Sequence, residues 1–139
     1  MVNNNGKMSE ITLAKILVID QDGDFYPFAN QTLAPLGYEL DLVDSLDSAM
    51  DEIDQQWPDL IIEDIDFHDR KKHLDFGERI HHDPILRFLP IIHIINEEIA
   101  DTQKITGEEE PHYLAACLKK PFSPDALSHI ISEVLEKRK

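Results

Sequence analysis

The chain has one cysteine, fewer than half as many bases as acids, and no apolar run approaching the roughly 18 residues that a membrane-spanning helix needs. A single cysteine, Cys117, excludes an intramolecular disulfide and suits a reducing cytosol, so a cytoplasmic location is expected. The 13 Lys and Arg against 28 Asp and Glu give a formal net charge of −15. That balance argues against DNA or RNA, whose phosphates need Lys and Arg, and equally against an anionic membrane surface. No signal-peptide pattern and no internal repeat are visible, and the one charge run of note is Glu108–Glu110. What remains is 139 residues, 42% of them hydrophobic, the length of one ordinary domain with enough apolar material for a core. Met1–Glu10 is polar and Asn-rich, so residues 1–13 are expected to be a disordered leader to a domain over 14–137.

Short apolar runs alternate with helical patterns. The runs Lys15–Ile19, Tyr38–Val43, Leu60–Ile62, Pro90–Ile95 and Ala115–Leu118 read as strands. A first helix is predicted from an Asp24 cap through Phe25, Phe28, Leu33 and Leu36, ending at Gly37. Ser45 caps a second, carried by Leu46, Ala49, Met50, Ile53 and Trp57 and stopped by Pro58. A polar loop, Asp66–Lys72, precedes a weaker helix over Leu74–His82, and the stretch Glu97–His112 is ambiguous. Ser123-Pro-Asp opens the last helix, whose core face is Leu127, Ile130, Ile131, Val134 and Leu135. This βα alternation predicts an α/β, doubly wound, flavodoxin-like parallel sheet of order 2-1-3-4-5 with helices on both faces.

In that order strands 1 and 3 are neighbours at the switch point, where ligands bind. Asp20, Asp64 and Lys120 each sit at or just past the end of an apolar run, so two carboxylates and an ammonium are expected at one sheet edge. Such a set can hold a divalent cation and a phosphoryl group. The other polar residues have plainer readings. Glu63 is expected at a solvated strand end, His93 as a hydrogen-bonded core histidine, and His68, His73, His81 and His82 as surface residues. Cys117 reads as a small buried hydrophobe and Trp57 as packing.

Four motifs in order resemble a response-regulator receiver domain of the CheY-like superfamily. They are Lys15-Ile-Leu-Val-Ile-Asp20, Pro58-Asp-Leu-Ile-Ile-Glu-Asp64, Leu89-Pro-Ile-Ile92 and Lys120-Pro-Phe-Ser-Pro-Asp-Ala-Leu127. The resemblance runs from about Ala14 to Leu135. It implies a phosphoprotein of two-component, phosphorelay signal transduction, with Asp64 accepting a phosphoryl group from a sensor histidine kinase or phosphotransfer protein. Lys120 would pair with the phosphoryl oxygens, and the Lys120–Pro121 bond would be cis. Asp20, Asp64 and the backbone carbonyl of Asp66 would hold Mg²⁺, the further ligand being Gln21 or Asp22. The output would go to a downstream protein, with no nucleic acid bound directly, and the role would be signalling, not that of an enzyme. The chain departs from the family pattern in three places. Gln21 stands where a second acid usually lies. Ile95 replaces the hydroxyl residue ending strand four, with Asn96 next to it, and Cys117 replaces the aromatic on strand five. Those departures favour the alternative, a phosphorylation-independent pseudo-receiver acting as a protein–protein interaction module. A metal-dependent hydrolase using the same acids lacks any recognisable acid/base motif.

Overall fold

The structure, a computed structural model, describes residues 12–137. Most of the expected leader, residues 1–11, lies outside the described residues. At the start of the described chain the amide of Leu13 donates to the carbonyl of Gly37.

Five parallel strands form one sheet: β1 (Ala14–Asp20), β2 (Tyr38–Val43), β3 (Leu60–Asp64), β4 (Ile91–Ile95) and β5 (Ala116–Lys119). Their order is 2-1-3-4-5, as the βα alternation predicts. The helices are α1 (Tyr26–Leu33), α2 (Leu46–Gln56), α3 (Arg70–His82), α4 (Glu97–Thr106) and α5 (Pro124–Lys137). Among the described residues no helix is long and apolar enough to cross a membrane.

The pleat divides the strand side chains between two cores. Ile16, Val18, Leu60, Ile62, Ile92 and Ile94 face α1 and α5, meeting Ala29, Leu33, Leu127, Ile131 and Val134. Leu17, Ile19, Ile61 and Ile91 face α2 and α3, meeting Ala49, Ile53, Phe76 and Ile80. Over Leu60–Ile62 the central strand β3 is apolar on both faces because both are covered, which is why that stretch reads as a continuous run.

Several boundaries differ from the sequence reading. The first helix is not capped by Asp24: its N-cap is Phe25, which offers no side-chain acceptor. Instead the carboxylate of Asp20 accepts from the amides of Phe25 and Tyr26. The α-helical ladder stops at Leu33 and tightens into a 3₁₀ turn over Ala34–Leu36, since Pro35 cannot donate. Gly37 then leaves in the left-handed region at φ 102°. The stretch Asp66–Lys72 is not a polar loop: a 3₁₀ turn, Phe67–Asp69, leads straight into α3 at Arg70. The ambiguous stretch begins as α4, capped by Asn96 and ended at Gly107 (φ 71°). Strand β5 lies one residue further on than predicted. Trp57 is not core packing: it is 50% exposed at φ 45°, where Pro58 steers its backbone away from continuing α2. The caps at Ser45 and Ser123 form as expected.

Gly77, buried in the middle of α3, has the ring of Tyr113 where a Cβ would stand. Gly77→Ala is therefore expected to destabilise the domain by about 1–3 kcal/mol, against alanine's better helix propensity. In a Tyr113→Ala background the added cost of the alanine should largely vanish, which paired urea melts will show. Additive costs would mean that the two residues do not meet.

Candidate functional site at the carboxyl edge of the sheet

The switch point lies between β1 and β3, and the register sets Asp20 opposite Asp64. Asp64 ends β3, and its Oδ1 is 2.8 Å from Lys120 Nζ. Lys120 follows β5, held by its amide donating to the carbonyl of Ile95, and it begins a cis peptide to Pro121. Its ammonium also lies 5.9 Å from the ring centroid of Phe25. The three sequence-predicted groups thus come together. With Gln21, Asp22, Ile65, Asp66 and Asn96 they line a cavity of about 170 Å³.

Asp20 is buried, at 1% exposure. One of its oxygens, Oδ2, accepts from Phe25 N and Tyr26 N, both at 2.9 Å. The other, Oδ1, is buried with no hydrogen-bond partner. Burial pushes the Asp64 carboxyl up, and the neighbouring Asp20 adds to this, so it stays raised although Lys120 pulls it down. Gln21 and Asp22 are exposed at the rim. Asp66 turns its side chain to the amide of His68, and its carbonyl accepts from Asp69 N. Asn96 directs its Oδ1 to the amide of Ile99 as the α4 cap.

These donors fit Mg²⁺, a hard cation that takes oxygen ligands and usually keeps several waters. An orphaned buried carboxylate oxygen beside a second, strained carboxylate is the feature a cation would satisfy. Among the described residues no group of three or more acidic, histidine or cysteine side chains is placed to hold a metal ion. A cation here would draw on Asp20 and Asp64, then on the Asp66 carbonyl and the Gln21 amide oxygen.

Two positions differ from the receiver pattern in a connected way. Ile95, with Ile65 and Ile99, forms a small apolar cluster against which Cys117 packs. Burial pushes the Cys117 thiol up to about 12, with Glu110 adding to the shift. An apolar plug thus stands where the sequence lacks the hydroxyl and the aromatic.

Glu63 corrects the sequence reading most. It is fully buried at 0% exposure, not a solvated strand end. His73 is likewise buried, not a surface residue, and its Nδ1 lies 2.5 Å from Glu63 Oε1. His93, in the core as expected, sits opposite Glu63 in the β3–β4 register with Nε2 3.4 Å from Oε2, too poorly aligned for a hydrogen bond. Burial pushes the Glu63 carboxyl up, but its contacts with the two histidines outweigh this and hold it below its ordinary value. An acid and a histidine at matching places on adjacent strands was the one signal for this cluster.

No family model matches the chain, and no curated protein matches it by sequence. Solved structures do. NtrX from Brucella abortus, in complex with ATP, is 26% identical over 90% of this chain, with a TM-score of 0.71; the match spans 27% of that longer protein. The chemotaxis response regulator CheY4 of Vibrio cholerae is 24% identical, with 88% of this chain and 99% of that one covered and a TM-score of 0.69. The signal receiver domain of a signal transduction histidine kinase from Syntrophus aciditrophicus is 17% identical, with 89% and 91% covered and a TM-score of 0.70. With the strand order 2-1-3-4-5, these likenesses show that the chain has the CheY-like, flavodoxin-like fold of receiver domains.

Proposed function

We propose that the domain is a phosphoacceptor in two-component signalling, taking a phosphoryl group from a phosphohistidine of a kinase or phosphotransfer protein onto Asp64. One observation carries this reading: the Lys120–Asp64 pair lies beside the unpartnered buried oxygen of Asp20, at the switch point of the sheet. Asp64 is the nucleophile. Its carboxylate oxygen attacks phosphorus in line, an O–P bond forms as the P–N bond breaks, and the electron pair leaves with the donor imidazole. Lys120 turns from the carboxylate to the incoming phosphoryl oxygens. Asp20, Asp64, the Asp66 carbonyl and Gln21 would hold Mg²⁺, whose charge offsets that of the transferring group. The deep carboxylates are in place before the donor arrives, so little reorganisation remains for the transfer step.

Amide NMR during titration with Mg²⁺ and then beryllofluoride tests this. Saturable shifts centred on Asp20, Asp64 and Lys120 are expected. Silence at tens of millimolar Mg²⁺, about tenfold or more above the roughly millimolar weak end of protein cation sites, would exclude the reading.

A second reading, a pseudo-receiver that binds partners without phosphorylation, is favoured by the Ile65–Ile95–Ile99 plug. In the phosphoacceptor reading the same plug implies an altered readout of the phosphorylated state.

A further inference from the structure

The buried Glu63–His73 pair has no part in the chemistry above, and it spans the segment that carries the site. Strand β3 ends at Asp64 and α3 begins at Arg70. Glu63 is one residue before the first boundary, and His73 is one turn past the second. Their bond, at 2.5 Å, joins side chains that are 0% and 8% exposed. His93 of β4 stands against the other carboxylate oxygen. Successive strand residues point to opposite faces, so Glu63 does not touch the reacting atoms around Asp64.

We propose that Glu63 and His73 form a clasp that closes the Ile65–Asp69 connection and so positions the Asp66 carbonyl at the site. Between the two tied ends the connection is held by short-range bonds and by Ile65 and Phe67 in the Ile95–Ile99 cluster. Ile65 N donates to Ile94 O and Asp69 N to Asp66 O, each at 3.0 Å, while His68 N donates to Asp66 Oδ1 at 3.1 Å and Arg70 N to Phe67 O. The turn bond uses one lone pair of the Asp66 carbonyl and leaves the other for a ligand. Without the clasp, α3 would still pack through Phe76 and Ile80, further along the helix, while its first turn and the connection were released. A buried carboxylate is costly to keep, and an apolar residue would serve packing as well. What the carboxylate adds is a directional bond between β3 and α3. Glu63 and His73 are on this account positioning residues. The part of the inference that concerns metal affinity rests on the phosphoacceptor reading; the closure of the connection does not.

The test uses the full chain, with Glu63→Gln and the double variant Glu63→Leu/His73→Leu. In the absence of metal, the amide of Asp69 should exchange about tenfold faster in the double variant, while amides of β1 keep their protection. Mg²⁺ affinity should fall about 10- to 100-fold, the usual effect of losing a partner that orients a ligand. Glu63→Gln, which still accepts from His73, should stay within about threefold of wild type in both readouts. Unchanged Asp69 exchange in a folded double variant overturns the clasp. Should that variant not fold, the wild type decides: an imidazole N–H of His73 protected from solvent exchange is expected, and a freely exchanging one overturns the bond. A wild type that binds no Mg²⁺ sinks the phosphoacceptor reading, and the Asp69 exchange still judges the clasp.

Discussion

Asp64→Asn is expected to abolish phosphoryl uptake and, with no metal present, to make the domain more stable at neutral pH. The first effect follows from chemistry: the amide supplies no nucleophilic carboxylate. The second follows from the raised Asp64 carboxyl, pushed up by burial and by Asp20. A carboxyl raised above its unfolded value opposes folding while it is ionised. That opposition is full at pH above the folded value and fades as pH falls through it, towards and below the ordinary value of 3.8. Asn carries no charge, so the variant gains most at neutral pH, and the gain shrinks in acid. Thermal melts in chelator at neutral and acid pH measure this. A variant less stable than wild type at neutral pH would show that the Lys120 bond outweighs the burial and the repulsion. A site that is strained when empty and relieved by its ligand trades stability for function.

Asp20→Ala should cost both stability and metal affinity, whereas Asp20→Asn should cost mainly the metal. The buried Asp20 carboxylate accepts from the two amides that open α1. Removing it strands both donors, at a cost of about 1–3 kcal/mol. Asn keeps one acceptor oxygen for those amides but loses the charge that the cation needs. Paired urea melts and Mg²⁺ titrations separate the two roles. Equal stability for the Ala variant and wild type would show that α1 does not depend on Asp20 for its start.

The division of labour on Asp20 was half visible in the sequence. An acid ending the run Ile16–Ile19 marks a sheet edge, and the same was true of Asp64 after Leu60–Ile62. Apolar runs of strand length alternating with helical patterns point to buried parallel strands, and the doubly wound order they imply is what brings Asp20, Asp64 and Lys120 together. That Asp20 would also cap α1, displacing Asp24, depends on a contact across five residues that no local propensity carries. The start of α3 is hidden because Asp66–Lys72 is polar but for Phe67: the helix packs through His73, Phe76 and Ile80, and only the last two look apolar. Glu63 was misread for the same reason. Burial of an acid is set by what faces it, and its partners lie on α3 and on β4. Local pattern reads one chain segment at a time, whereas a buried polar cluster is a property of three.

These contacts also bear on output. In the receiver pattern a hydroxyl and an aromatic respond to the phosphoryl group, and this chain has Ile95 and Cys117 there. Both belong to an apolar cluster with Ile65 and Ile99 beside the site. On the phosphoacceptor reading, a response to phosphorylation would therefore differ from that of the receiver pattern.

The most direct test of the phosphoacceptor reading is intact-protein mass spectrometry after incubation with Mg²⁺ and phosphoramidate, a small donor with the P–N bond of phosphohistidine. The account predicts a single phosphoryl group on Asp64, absent without Mg²⁺ and absent in Asp64→Asn. No uptake by the folded wild type, or equal uptake by Asp64→Asn, would contradict it.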